Sequence, residues 1–167
     1  MSILIVDDSL VSRTFISNLL NEVGYTELIL CESIEDAYKT IGFDDPETTS
    51  TDLDLILLDM HLPDGHGLDL LRRLRAGGAT SDVLAVTSVR ELDVVRRAMA
   101  HGVVGYLIKP FTSSSFTAKL NQYALGARFI GAIEAERGLA AVDRCWVSPD
   151  LVPTIDEIRE PGRWLQR

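Results

Sequence analysis

Five short apolar runs recur along the chain, at residues 3–6, 28–31, 55–58, 83–86 and 104–108. They are near-continuous in Ile, Leu and Val rather than alternating. That pattern suits strands covered on both faces, and so a parallel sheet between layers of helix. The stretches between them carry helical spacing. Phe15, Ile16, Leu19, Leu20 and Val23 trace one apolar face before Gly24, and Leu68, Leu71 and Leu74 trace another before Gly77 and Gly78. Ser33, three residues before Asp36, reads as a helix cap. Five strand–helix units within residues 1–125 predict a doubly wound α/β domain.

Three features depart from that rhythm. Residues 42–52 are polar and aperiodic, which predicts a surface excursion before the third strand. The last helix runs long: Phe116, Leu120, Tyr123, Ala127 and Ile130 keep helical spacing, and the pattern continues from residue 113 to about 138. Residues 126–145 therefore read as an extension of that helix and a linker. Residues 146–167 hold Pro149, Pro153, Pro161 and Gly162, and read as an irregular tail or part of an output region. Thr154 followed by Glu157 can cap one short helix there.

Composition narrows the setting. The chain of 167 residues is 46% hydrophobic and 25% charged, as in a globular protein. No apolar run reaches the roughly 18 residues of a membrane span. The first strand meets Asp7 and Asp8 at once, with no basic segment before it, so a signal peptide is not expected and a cytoplasmic protein is. Cys31 and Cys145 have no metal-type spacing and read as reduced thiols. The net charge is −9, which argues against DNA binding through the general field. Of 25 acids, 18 lie in residues 1–127, so the excess sits in the front domain.

The candidate chemistry collects at strand ends. Asp7 and Asp8 follow the first strand and Asp59 the third, at the edge where open parallel sheets bind ligands. Two such carboxylates about 4 Å apart repel by on the order of 4 kcal/mol at an effective dielectric of 20. A hard divalent cation such as Mg²⁺ removes that cost. Asp is also a common helix cap, so Asp7 and Asp8 have a second, structural reading. Thr87 and Ser88 follow the fourth strand, where they offer hydroxyls or start a helix. Lys109 and Pro110 follow the fifth. There the lysine either reaches an anion across the crevice or is simply solvated, and the proline can set a cis peptide. Tyr106 lies within the fifth strand.

Taken together, residues 1 to about 125 resemble the receiver domain of two-component response regulators. The resemblance rests on Val6-Asp7-Asp8-Ser9, Leu57-Leu58-Asp59-Met60 with Leu62-Pro63-Asp64-Gly65, Val86-Thr87-Ser88, and Tyr106-Leu107-Ile108-Lys109-Pro110-Phe111. It implies a flavodoxin-like, CheY-like five-stranded parallel sheet in the order 2-1-3-4-5, followed by an extended last helix. It implies that Asp59 accepts a phosphoryl group from a sensor histidine kinase. It also implies that Asp7, Asp8, Asp59 and the main-chain carbonyl of Met60 hold Mg²⁺, and that Lys109 and Thr87 contact the phosphate. Thr87, Ser88, Tyr106 and Pro110 would form the switch, which reshapes the surface of the fourth helix, fifth strand and fifth helix. Ser88 stands where alanine or glycine is more usual. His61 and Val89 occupy positions that tune dephosphorylation in the family.

The back half, from Gly65 to Thr112, is similar to regulators of citrate and C4-dicarboxylate sensing, which implies transcriptional output. The loop at residues 42–52 looks more like receivers linked to signalling enzymes. Residues 146–167 are too few, with too many prolines, for a helix-turn-helix, so DNA contact is expected only through a domain outside this chain. The alternatives are a stand-alone receiver acting through protein contacts and a Mg²⁺-dependent phosphohydrolase with an aspartyl-phosphate intermediate. The latter type wants a second acid two residues after the nucleophile, where this chain has His61. An apolar stripe longer than one domain buries also predicts a homodimer through the last helix.

Overall fold

The computed structural model describes residues 1–42, 53–88 and 92–167. The excursion expected at 42–52, apart from Gly42, and the position of Val89 lie outside the described residues. The chain divides into two compact units, Met1–Ser113 and Ser114–Arg167. Among the described residues no helix is long and apolar enough to cross a membrane.

The first unit contains a parallel sheet of β1 (Ser2–Val6), β2 (Glu27–Cys31), β3 (Leu55–Asp59), β6 (Asp82–Ser88) and β7 (Gly105–Lys109), ordered β2-β1-β3-β6-β7. A two-stranded hairpin, β4 (His61–Leu62) and β5 (Gly65–His66), follows β3 directly. Counting only the main sheet, the order is the expected 2-1-3-4-5. Each predicted run lies within or overlaps one strand; the three central strands are buried on both faces, whereas the edge strands β2 and β7 are partly exposed. Leu4, Val6, Ile56, Leu58, Val83 and Ala85 join α2 (Ile34–Ile41), α3 (Gly67–Ala76) and α4 (Leu92–Ala100) in one core. The alternate residues Ile3, Ile5, Leu55, Leu57, Leu84 and Val86 are buried too, as are Ile16, Leu19 and Leu20 of α1 (Leu10–Glu22). Phe15 and Val23, expected on the buried face of α1, are partly exposed instead.

Helix starts follow local chemistry. The Ser33 hydroxyl accepts from the Asp36 N–H at 3.1 Å. The Asp64 carboxylate accepts from the N–H groups of Ile34 and Glu35 at 3.0 and 2.9 Å. The start of α2 is thus capped twice, once from its own sequence and once from the hairpin after β3. Burial opposes the charge on Asp64, but these backbone donors outweigh it and hold its pKa below the usual value. Gly67 opens α3 under tight constraint: a Cβ there would lie 2.3 Å from the Asp59 carbonyl oxygen.

In the second unit α5 runs from Ser113 to Arg137, as its periodicity predicts. The residues after it do not form an irregular tail. Gly138, at φ 76°, turns the chain into α6 (Leu139–Asp143). Two 3₁₀ turns follow, then α7 (Ile155–Arg159) and α8 (Pro161–Leu165). Phe129 and Ile133 of α5 join Ala141, Val142, Cys145, Trp164 and Leu165 in a small core. The Trp164 indole N–H donates to the Leu151 carbonyl at 2.8 Å, and the Arg137 guanidinium donates to that of Leu165. The elements here are short, and two prolines occupy their starts: Pro161 is the first residue of α8 and Pro149 opens a 3₁₀ turn. The Thr154–Glu157 capping box forms as expected. Part of the apolar stripe assigned to a second copy is therefore covered by this chain itself.

Two substitutions test these supports. Gly67→Ala should destabilise the protein by on the order of 3 kcal/mol, read by denaturant unfolding, because backbone must move to admit the Cβ. Asp64→Ala should cost about 1 kcal/mol. That difference should shrink as pH falls through the lowered pKa of Asp64, since the cap works only when ionised.

Candidate functional site

The three acids meet where the sheet order puts them. β1 and β3 are neighbours, with Val6 paired to Leu58, so Asp7 and Asp59 emerge side by side. Carboxylate oxygens of Asp7, Asp8 and Asp59 lie within 4.8 Å of one another. The helix-cap reading of Asp7 and Asp8 fails: Ser9 is the N-cap of α1 and accepts from the Ser12 N–H at 3.3 Å. Asp7 is buried and heavily engaged. One oxygen accepts from the Ser9 N–H at 3.0 Å, the other from the Ser12 hydroxyl at 2.5 Å and the Lys109 ammonium at 2.8 Å. Asp8 is exposed at the mouth.

Lys109 is the counter-charge. Its ammonium bridges Asp7 and Asp59, lying 2.5 Å from an Asp59 oxygen. The other Asp59 oxygen accepts from the His61 N–H at 2.9 Å. One lysine shared by several acids leaves the cluster net negative. Burial pushes the Asp59 pKa up, and the His61 and Lys109 donors only partly offset it. For Lys109, burial works the other way, but its two carboxylates win and raise its pKa. The lysine therefore stays charged, while the ionised form of Asp59 is the strained member. Three converging acids with a residual negative charge suit a hard divalent cation with oxygen ligands.

The Met60 carbonyl, the expected main-chain ligand, accepts from the Gly67 N–H at 3.0 Å, and the His66 ring lies 3.2 Å from it. Thr87 stands one residue past Val86, the register partner of Asp59, and is buried. Ser88 pairs with Lys109 across β6 and β7. Tyr106 is 38% exposed. The Lys109–Pro110 peptide is cis.

Several supports were not read from the sequence. Arg13 is buried in α1, and its guanidinium donates to the Asp7 carbonyl at 2.5 Å while lying 3.6 Å from Glu32. A basic residue on a helix face gives no signal of that role. Ser12 and Gly67 were missed for the same reason, as their partners are set by the fold. Beside Lys109, a groove of about 520 Å³ is bounded by Ser9, Val11, Ser12, Phe15, Pro110 and Phe111. The rings of Phe15 and Phe111 are 6.0 Å apart.

A three-acid cluster at the carboxyl edge of a flavodoxin-like sheet, with its two buried members bridged by one lysine, defines a receiver domain. The chain belongs to the response regulator receiver domain family, whose model matches residues 3–121. It is 32% identical over 124 residues to the transcriptional regulatory protein MalR of Bacillus subtilis, covering 74% of this chain and 50% of MalR. It is 31% identical to the chemotaxis protein CheY-3 of Vibrio cholerae over 73% of this chain and 90% of CheY-3. The chain thus spans only about half of MalR and nearly all of CheY-3. A CheY-like receiver domain from Methylobacillus flagellatus superposes with a TM-score of 0.60 at 27% identity, over 73% of this chain and 97% of that one. The Vibrio cholerae chemotaxis protein CheY4 shares the fold, with a TM-score of 0.62 at 23% identity over 72% of this chain and 96% of CheY4. A zincin-like metallopeptidase model also matches residues 78–165. The sole histidine in that span is His101, so the paired helical histidines that hold zinc in such enzymes are missing.

Asp59→Asn should raise thermal stability at neutral pH in the absence of divalent cations. The folded-state pKa of Asp59 is raised, so its penalty is fully present above that pKa and absent below the unfolded value near 3.9. The gain should fade as melting curves are taken at lower pH. A variant less stable than wild type at neutral pH would contradict the burial argument.

Proposed function

We propose that Asp59 accepts a phosphoryl group from the phosphohistidine of a sensor kinase, and that the modified protein switches an output through its surface. The observation that carries this reading is the buried Asp59 at the end of β3, paired with Lys109 and flanked by Asp7 and Asp8. An Asp59 oxygen attacks phosphorus, the nitrogen–phosphorus bond of the donor breaks, and an acyl phosphate forms. Little other covalent chemistry is needed; position and charge neutralisation carry such a transfer. Asp7, Asp8 and Asp59 would hold Mg²⁺, which supplies charge neutralisation at the phosphoryl oxygens. Lys109 already points at the Asp59 carboxylate and would pass to the phosphate. The apolar groove between α1 and Phe111 lies beside Lys109 and is the surface assigned to the donor protein.

The new group adds roughly 1.5 to 2 negative charges. Thr87, buried at the end of β6, would donate its hydroxyl to the phosphate, with Ser88 beside it. Tyr106, now partly exposed on β7, would then turn inward. A switch from 1:99 to 99:1 needs about 5.5 kcal/mol of differential stabilisation. A few charge-assisted hydrogen bonds reach that scale. The likeness to MalR favours transcription as the output, through a domain outside the matched region. The likeness to CheY-3, which this chain nearly spans, favours an output through protein contacts alone. A phosphohydrolase is disfavoured because His61 stands where its second acid would be.

Treatment with phosphoramidate and Mg²⁺, followed by intact mass measurement, should add one phosphoryl group to the wild type and none to Asp59→Asn. Lys109→Ala should slow the modification by on the order of a hundredfold. An equal adduct on the Asp59 variant would mean that another residue is the acceptor.

A further inference from the structure

We propose that His61 and His66 form a binding site for a borderline transition-metal cation, represented by Zn²⁺, separate from the acid cluster. The two residues are direct partners across the β4–β5 hairpin, and both are exposed. Their ring centroids are 4.9 Å apart and their planes are inclined by 57°. Zinc binds imidazole nitrogen at about 2.0–2.1 Å, which puts the metal about 3.2 Å from each ring centre. At a tetrahedral angle the two centres would then stand about 5.2 Å apart. The observed centroid spacing of 4.9 Å is close to that demand.

The second observation concerns the proton on His66. Its Nδ1 lies 3.2 Å from the Met60 carbonyl. A carbonyl only accepts, so Nδ1 carries the hydrogen and Nε2 carries the lone pair. Metal-binding histidines characteristically donate their other ring N–H to a carbonyl or carboxylate in this way. The hairpin itself is held from outside, since Asp64 at its turn is bonded to the start of α2. Imidazole selects zinc, nickel and copper, whereas the carboxylates of Asp7, Asp8 and Asp59 select magnesium and other hard ions. The remaining positions on the metal would be taken by water. This site does not depend on phosphoryl transfer, although the hairpin that carries it also bonds Asp59 through the His61 N–H.

The test is calorimetric titration of the full, unphosphorylated chain with Zn²⁺ in excess Mg²⁺. Binding should be one-to-one, weakened at least tenfold in both His61→Gln and His66→Gln, and retained in Asp8→Asn. Thermal melts without zinc should show the histidine variants folded, as both side chains are at the surface. In ¹⁵N spectra of the imidazoles, zinc should shift His66 Nε2 and leave Nδ1 protonated. Binding that survives both histidine substitutions, binding that Mg²⁺ displaces, or no saturable binding would each overturn the proposal.

Discussion

The first unit is organised around one electrostatic constraint. Acids are brought into a buried crevice that a single lysine only partly neutralises. Asp7, Asp59 and Lys109 touch because β1, β3 and β7 end at the same edge of the sheet. Burial makes the ionised form of Asp59 costly, and the crevice keeps it there with donors from His61 and Lys109. An uncompensated buried charge can be relieved by a cation or by covalent change.

Much of the surrounding structure serves that edge. Arg13 fastens the Asp7 main chain, Ser12 orients the Asp7 carboxylate, and Ser9 frees both leading acids by capping α1 itself. On the other side of Asp59, the short hairpin is closed by Gly67 beneath it and by Asp64 against α2. Asp59 is therefore held between two braced turns, and the reach of Lys109 across the crevice completes the frame. The second unit has a separate logic. It is a small helical core built on the far part of α5, with Trp164 at its centre.

The central strands were legible because burial on both faces writes a continuous apolar run, and the edge strands kept enough of that run to be read with them. The strand-end acids and Lys109 were legible because chemistry at the edge of a parallel sheet recurs at fixed positions. The last helix was legible from its period alone. The tail was only partly legible: its prolines limit element length, but that Pro149 starts a 3₁₀ turn and Pro161 a helix depends on what packs around them. The face of α5 that is buried beyond Tyr123 also depended on what folds against it. Phe129 and Ile133 are covered where Ala127 is not.

The sequence by itself determined the fold class and the acids and lysine at the strand ends, since these follow from hydrophobic period and residue type; Asp59 as phosphoacceptor candidate is what the resemblance implies. Only the tertiary structure decided which groups hold them. A hydrogen bond from Arg13 to a carbonyl, the bond from Gly67 to the Met60 carbonyl and the close approach of the His61 and His66 rings are contacts of direction and distance. Such contacts depend on where the backbone turns, and that is set by packing across the whole unit rather than by neighbours in the chain.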